Sequence, residues 1–138
     1  MKETKSDKAK EMISYFQRDL GFVPDFVRIL AEYEPEALDG YIRLRKAAMK
    51  PDSTAALPRK FKEILFVAMD CTRGLIEGAK AHARAAVDAG ATTQELVEAL
   101  VIVILTTGAP SVELVGKEAF KVALAREKEI MGRSRRGV

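Results

Sequence analysis

The sequence is poor in the residue types on which several common kinds of site depend. Its 138 residues include one cysteine, one histidine and no tryptophan. A single cysteine excludes an intramolecular disulfide and a structural zinc site built on cysteines. Neither a G-x-G-x-x-G nor a Walker sequence occurs, so the phosphate-binding loops that these patterns mark are not predicted.

Long apolar runs and a basic face on the body of the protein are also missing. The longest apolar stretch, 99–105, is far shorter than the ~20 residues of a membrane-spanning helix. The net charge of +3 is accounted for by Arg133, Arg135 and Arg136. The charged N-terminus has no apolar region typical of a signal peptide. We therefore expect a cytoplasmic protein that binds no nucleic acid and no membrane, with a flexible basic tail over 132–138.

The composition, 48% hydrophobic and 31% charged, is typical of a globular protein, and the length favours one domain over 1–138. Proline and glycine divide the chain into segments of helical length, with Pro24, Pro35 and Pro58 suited to first helical turns. Thr92 and Glu95 have the spacing of a capping box. The predicted helices cover 5–20, 24–32, 35–50, 58–73, 75–89, a segment from 92 to the break at 108–110, and 111–131. This pattern predicts an all-α fold of six or seven helices.

The β-branched segment 101–104 permits two interpretations, a buried strand or part of a helix. We favour the helix, because no second strand is visible and a lone strand leaves its backbone groups without partners. A helix that is apolar nearly all round must be buried on several sides, by its own fold or by another subunit.

The one histidine, His82, lies on the apolar side of the segment 75–89, where an imidazole needs a partner. If the chain turns back at Arg73 and Gly74, Glu63 and His82 lie within about 3 Å of the same level on antiparallel helices. A carboxylate beside an imidazole fixes its tautomer and favours its protonated form, as in a general acid/base. The same pair can equally be a structural ion pair.

The residues around this hairpin resemble those of a known family. The resemblance is carried by Glu63, Gly74, His82, the Ala-Gly-Ala-Thr turn at 89–92, Glu95, Glu98 and the Gly-Ala-Pro break at 108–110. Together they are similar to the carboxymuconolactone decarboxylase family, whose superfamily includes the alkylhydroperoxidase D-like proteins. The resemblance covers about 57–119. It implies a compact helical domain around an antiparallel hairpin, assembled into homo-oligomers such as trimers or hexamers.

The peroxidase branch of that superfamily carries a Cys-x-x-Cys pair between the glutamate and the histidine. Here Leu75 and Gly78 occupy the two cysteine positions, while Glu63 and His82 remain. A dithiol peroxidase mechanism needs both thiols and is therefore excluded within one chain. Cys71 lies elsewhere, and we predict a buried, unreactive thiol and no redox site.

In the decarboxylase branch, an acid similar to Glu77 stands five residues before the histidine. Glu77 falls on the polar side of the predicted helix, and the arginine-proline pair of that branch is replaced by Leu75 and Ile76. The resemblance nevertheless implies chemistry on a small carboxylate or lactone.

Our leading hypothesis is a lyase or isomerase that uses neither a cofactor nor a metal. His82 is then the catalytic acid/base and Glu63 its orienting partner. We predict substrate-binding roles for Arg73, Gly78 and Leu75. Two alternatives stay open: a non-catalytic oligomeric protein in which the pair holds the hairpin, and a peroxidase with one cysteine, Cys71.

Overall fold

A computed structural model describes residues 5–137 of the chain, and all of the regular structure in this range is helical, as predicted. The elements, in chain order, are α1 (Lys5–Leu20), α2 (Asp25–Tyr33), α3 (Pro35–Ala48), α4 (Arg59–Arg73), α5 (Ile76–Asp88), α6 (Thr93–Thr107), the short α7 (Ala109–Ser111), a π-helical segment (Val112–Gly116) and α8 (Lys117–Arg135). None of the helices described is both long and apolar enough to cross a bilayer.

The helices begin and end close to the proline, glycine and capping residues that predicted their ends. The capping box before α6 is complete: the Thr92 hydroxyl accepts from the Glu95 backbone N–H at 3.1 Å, and the Glu95 carboxylate accepts from the Thr92 N–H at 2.9 Å. The ambiguous segment 101–104 lies inside α6, so the helical interpretation is correct. Gly74 ends α4 with a φ of 73°, a conformation that glycine adopts without strain.

The region after α6 departs from the single helix predicted over 111–131. The chain forms α7, then the π-helical segment, then α8. At the end of the π-helical segment, Gly116 packs so closely on α6 that a Cβ there would lie 3.0 Å from Leu100 Cδ2. The last helix also continues through Gly132 to Arg135. The predicted tail 132–138 is thus helical as far as Arg135, and Val138 lies outside the described residues.

The chain divides into two compact units, Met1–Lys50 and Pro51–Val138. The division falls in the segment between α3 and α4. In the first unit, α1, α2 and α3 share a core that includes Phe16, Val27 and Leu38. A largely buried ion pair, Arg45 to Asp19 at 2.7 Å, joins α3 to α1. That the whole chain acts as one family-like domain stays a prediction.

The second unit is organised around α5, which packs against α4 on one side and α8 on another. Small side chains make up much of this core: Ala79 and Ala83 on α5, and Ala119 and Ala123 on α8, are fully buried. Alanine leaves little volume between helix axes, so the helices approach closely. This packing fixes the α4–α5 hairpin on which the predicted site residues lie.

We expect Ala123→Leu to lower the free energy of unfolding by about 1–3 kcal/mol, because the added atoms have no space in a close-packed core. Chemical denaturation followed by circular dichroism measures the change. Ala125→Leu, at an exposed position of the same helix, is the matched control and should change stability by less than about 0.5 kcal/mol. Equal effects of the two substitutions would contradict this description of the core.

Candidate functional site

Glu63 is a carboxylate in the interior of the second unit. It is 0% exposed, and Ile64 and Val67 beside it on α4 belong to the core. Its Oε2 lies 2.8 Å from Nδ1 of His82 on α5. The antiparallel hairpin thus places the two side chains at one level, and the contact predicted from the spacing is present.

A third residue, Arg59, completes the surroundings of this carboxylate. The Arg59 Nε donates to Oε1 of Glu63 at 2.8 Å across one helical turn. Both carboxylate oxygens therefore have a partner, which is what burial of an ionised group requires. Sequence reasoning missed Arg59, although an arginine four residues before a buried glutamate is a recognisable helical pairing.

The imidazole of His82 is held on one face and at one nitrogen. The ring of Phe66 stacks on it, with 4.4 Å between ring centroids and 16° between planes. Nδ1 is bound to Glu63, and Nε2 has no hydrogen-bond partner among the described residues. Among the described residues, the only fully buried side-chain nitrogen or oxygen that lacks a hydrogen-bond partner is Oδ2 of Asp70. Because Nε2 of His82 also lacks a partner but is not fully buried, it is open to solvent or to a ligand. The His82 side chain is 15% exposed.

Asp70 is a second buried carboxyl on the same helix, and it lies against Gly78. A Cβ built on Gly78 would stand 2.6 Å from the Asp70 Oδ2, so the carboxyl fills the space that a side chain at 78 needs. Burial raises the pKa of Asp70, while the charges of His82 and, more weakly, Arg73 oppose that rise. Asp70 follows Glu63 by seven residues and so lies on the same side of α4, but this spacing gives no sign that its carboxyl fills the space beside Gly78.

Cys71 is buried, as predicted, with 2% of its surface exposed. Burial, and then the neighbouring Asp70, raise the pKa of its thiol. A raised pKa leaves the sulfur protonated at neutral pH, and the thiolate is the reactive form. Both of these influences disfavour the thiolate of Cys71.

The predicted substrate-binding residues lie at the end of the hairpin near the turn. Arg73 is exposed at the last position of α4, and Leu75, 43% exposed, precedes α5. Neither forms a side-chain hydrogen bond with Glu63 or His82 in the part of the chain described. Glu77 extends from α5 with 84% of its side chain exposed and pairs with Lys80 at 3.0 Å. Its predicted position on the polar side is thus correct.

Within residues 5–137, no group of three or more histidine, cysteine, aspartate or glutamate side chains is placed to hold a metal ion. The arrangement that is present is an arginine, a carboxylate and an imidazole in series, ending in an accessible nitrogen. Such a series can move a proton between Nε2 and a bound molecule while Glu63 balances the positive charge of the protonated ring.

Known proteins are similar to this chain both in sequence family and in overall fold. The model of the carboxymuconolactone decarboxylase family matches residues 35–122, a wider range than the 57–119 predicted. A candidate carboxymuconolactone decarboxylase from Burkholderia xenovorans LB400, solved at 1.65 Å, is 34% identical to this chain, with a TM-score of 0.83, and the match covers 94% of this chain and 98% of the other. None of the curated proteins matches the chain significantly. The chain belongs to the carboxymuconolactone decarboxylase family.

Proposed function

We propose that the protein is a lyase or isomerase that acts on a small carboxylate or lactone by acid/base chemistry, without a metal or organic cofactor. His82 is the catalytic acid/base, Glu63 orients it, and Arg59 holds Glu63. The observation that carries the proposal is the series from Arg59 through Glu63 to His82, with Nε2 left without a hydrogen-bond partner among the described residues. Membership of the family supports the class of reaction.

A decarboxylation illustrates what these residues do. The bond between the substrate carbon and its carboxylate breaks, CO₂ leaves, and the electron pair passes into the lactone as an enolate. Protonated His82 then delivers its Nε2 proton to the carbon, and the neutral imidazole regains a proton from water. In an isomerisation the same nitrogen removes a proton from one carbon and returns it to another. The charge of Arg73 is available to hold a substrate carboxylate.

The second candidate, a non-catalytic protein of the same fold, is favoured by the complete burial of Glu63. In that case the three residues only hold α4 against α5. The two candidates differ in whether Nε2 ever meets a ligand. The one-cysteine peroxidase is the least supported, since burial keeps Cys71 protonated.

We also propose that the chain forms a homo-oligomer through α6. Its buried side is formed by Leu96, Leu100 and Val103, while Val101, Ile102 and Leu105 form an apolar stripe that is 51%, 62% and 80% exposed. A stripe of this kind favours burial against another subunit. The number of subunits, trimer or hexamer, and a cytoplasmic location stay predictions.

We expect His82→Ala to lower kcat by about 100- to 10,000-fold on any carboxylated lactone that the wild type converts, because the proton-transferring group is removed. A panel of such lactones, assayed by loss of substrate and release of CO₂, measures this. Lys80→Ala, on the exposed side of the same helix, is the control and should keep its activity.

Equal turnover by wild type and His82→Ala would remove His82 from the mechanism. The non-catalytic candidate predicts a different outcome: His82→Gln and Glu63→Gln lower the melting temperature, while no compound in a broad metabolite screen raises that of the wild type.

We expect Leu105→Lys to shift the protein towards the monomer, because a charge is introduced into an apolar contact between subunits. Light scattering coupled to size-exclusion chromatography gives the mass in solution. Gln94→Lys adds the same side chain at the polar, exposed start of α6 and should leave the mass unchanged. A wild-type protein that is itself monomeric would refute the proposed assembly.

A further inference from the structure

The carboxyl of Asp70 occupies a position that the proposed mechanism does not use. The residue is 9% exposed, and its Oδ2 is buried without a hydrogen-bond partner among the described residues. The Asp70 carboxyl projects from α4 into the space beside Gly78 on α5, where a side chain at position 78 would lie. Gly78 stands one helical turn before His82, about 6 Å along the helix axis. The unpaired carboxyl thus lies against α5 about one helical turn from His82.

A buried carboxylate without hydrogen bonds is destabilising, because it has lost its hydration and has formed no hydrogen bond with the protein to compensate. Two changes reduce this cost. The carboxyl can take up a proton, or a positive charge can develop close by. The imidazole of His82 offers the second route without any movement of the backbone, since it becomes cationic on protonation.

The charged groups around Asp70 favour His82 as its partner. Burial is the largest influence on the pKa of Asp70 and raises it; the charge of His82 opposes this most strongly, followed by that of Arg73. Cys71, the neighbour on α4, is kept neutral by burial. On the neighbouring elements of the described chain, Glu113 pairs with Lys117, Glu95 with Lys60 and Glu118 with Lys121. Among the described residues, His82 and Arg73 are the two cations whose charges act on Asp70, and an imidazole, unlike a guanidinium, can lose its charge near neutral pH.

We propose that Asp70 is a positioning residue that acts on His82 through charge: the two groups bind protons as a coupled pair, and the protonation of Asp70 sets the charge that His82 carries at Nε2. Gly78 is the structural condition for this pair, since any side chain there displaces the carboxyl. The catalytic meaning of the pair rests on the proposed function, but the coupling itself does not and can be measured without a substrate.

The single histidine makes the test direct, because all imidazole signals in the NMR spectrum come from one ring. We expect Asp70→Asn to move the pH midpoint of the His82 signal downwards by about half a pH unit or more, since a nearby negative charge is lost. In turn, His82→Gln should raise the midpoint of the Asp70 carboxyl carbon. Coupling between two sites is reciprocal, so the two displacements should agree in size.

Glu77→Gln is the matched control, because it removes an exposed carboxylate five residues from His82 on the same helix. It should leave the His82 midpoint nearly unchanged. If Asp70→Asn moves the midpoint no more than Glu77→Gln does, the coupling is refuted. If the coupling is found but no lactone is turned over, the proposed function is refuted while the coupling between Asp70 and His82 is confirmed.

The pH dependence of stability provides a second measurement. The pKa of Asp70 is raised above its ordinary value of 3.8 in the folded protein, so the unfolded chain loses this proton first as the pH rises. The stabilisation that the protonated Asp70 contributes is fully present below pH 3.8. It is lost as the pH rises through the raised pKa that Asp70 has in the folded protein. We expect Asp70→Asn to be more stable than the wild type at pH 7, with the difference shrinking towards pH 3. A difference independent of pH would contradict a buried, titrating Asp70.

Discussion

The buried charge of Glu63 is the constraint on which the second unit depends. A carboxylate with no exposed surface is tolerated only when both of its oxygens are paired, and Arg59 and His82 supply those pairs. One partner comes from the same helix and the other from the next helix. The register of α4 against α5 is therefore fixed by a polar contact as well as by apolar packing. Any slip of the hairpin would leave the carboxylate unpaired in the core.

The sequence predicted those parts of the fold and the site that depend on spacing along the chain. Helix ends follow from Pro24, Pro35, Pro58 and the Thr92 capping box, because these residues act locally. The Glu63–His82 contact follows from two nearly equal distances to the turn at Gly74. In each case the cause lies within one helix or one hairpin, where 3.6-residue periodicity is a sufficient guide.

Features that depend on the shape of a neighbouring element could not be predicted in this way. The π-helical segment ends at Gly116, which lies close against Leu100 of another helix. The stacking of Phe66 on His82 depends on side-chain orientation across the hairpin. Asp70 is the clearest example, because the spacing places it on the side of α4 that carries Glu63 but does not show whether its carboxyl contacts water or the backbone of α5. Arg59 was the exception, since its spacing from Glu63 was visible in the sequence.

Gly78 connects the single-cysteine sequence to the space that Asp70 occupies. It stands where the resembled peroxidase branch has its second cysteine, and a Cβ at this position would lie 2.6 Å from Oδ2 of Asp70. Real side chains do not come this close to a carboxyl oxygen, so a cysteine at 78 and Asp70 in its present place exclude one another. Glycine at 78 therefore leaves the space that the carboxyl of Asp70 occupies, one helical turn from His82. The hairpin thus carries two buried acids: Glu63, held by hydrogen bonds to Arg59 and His82, and Asp70, whose Oδ2 has no hydrogen-bond partner among the described residues.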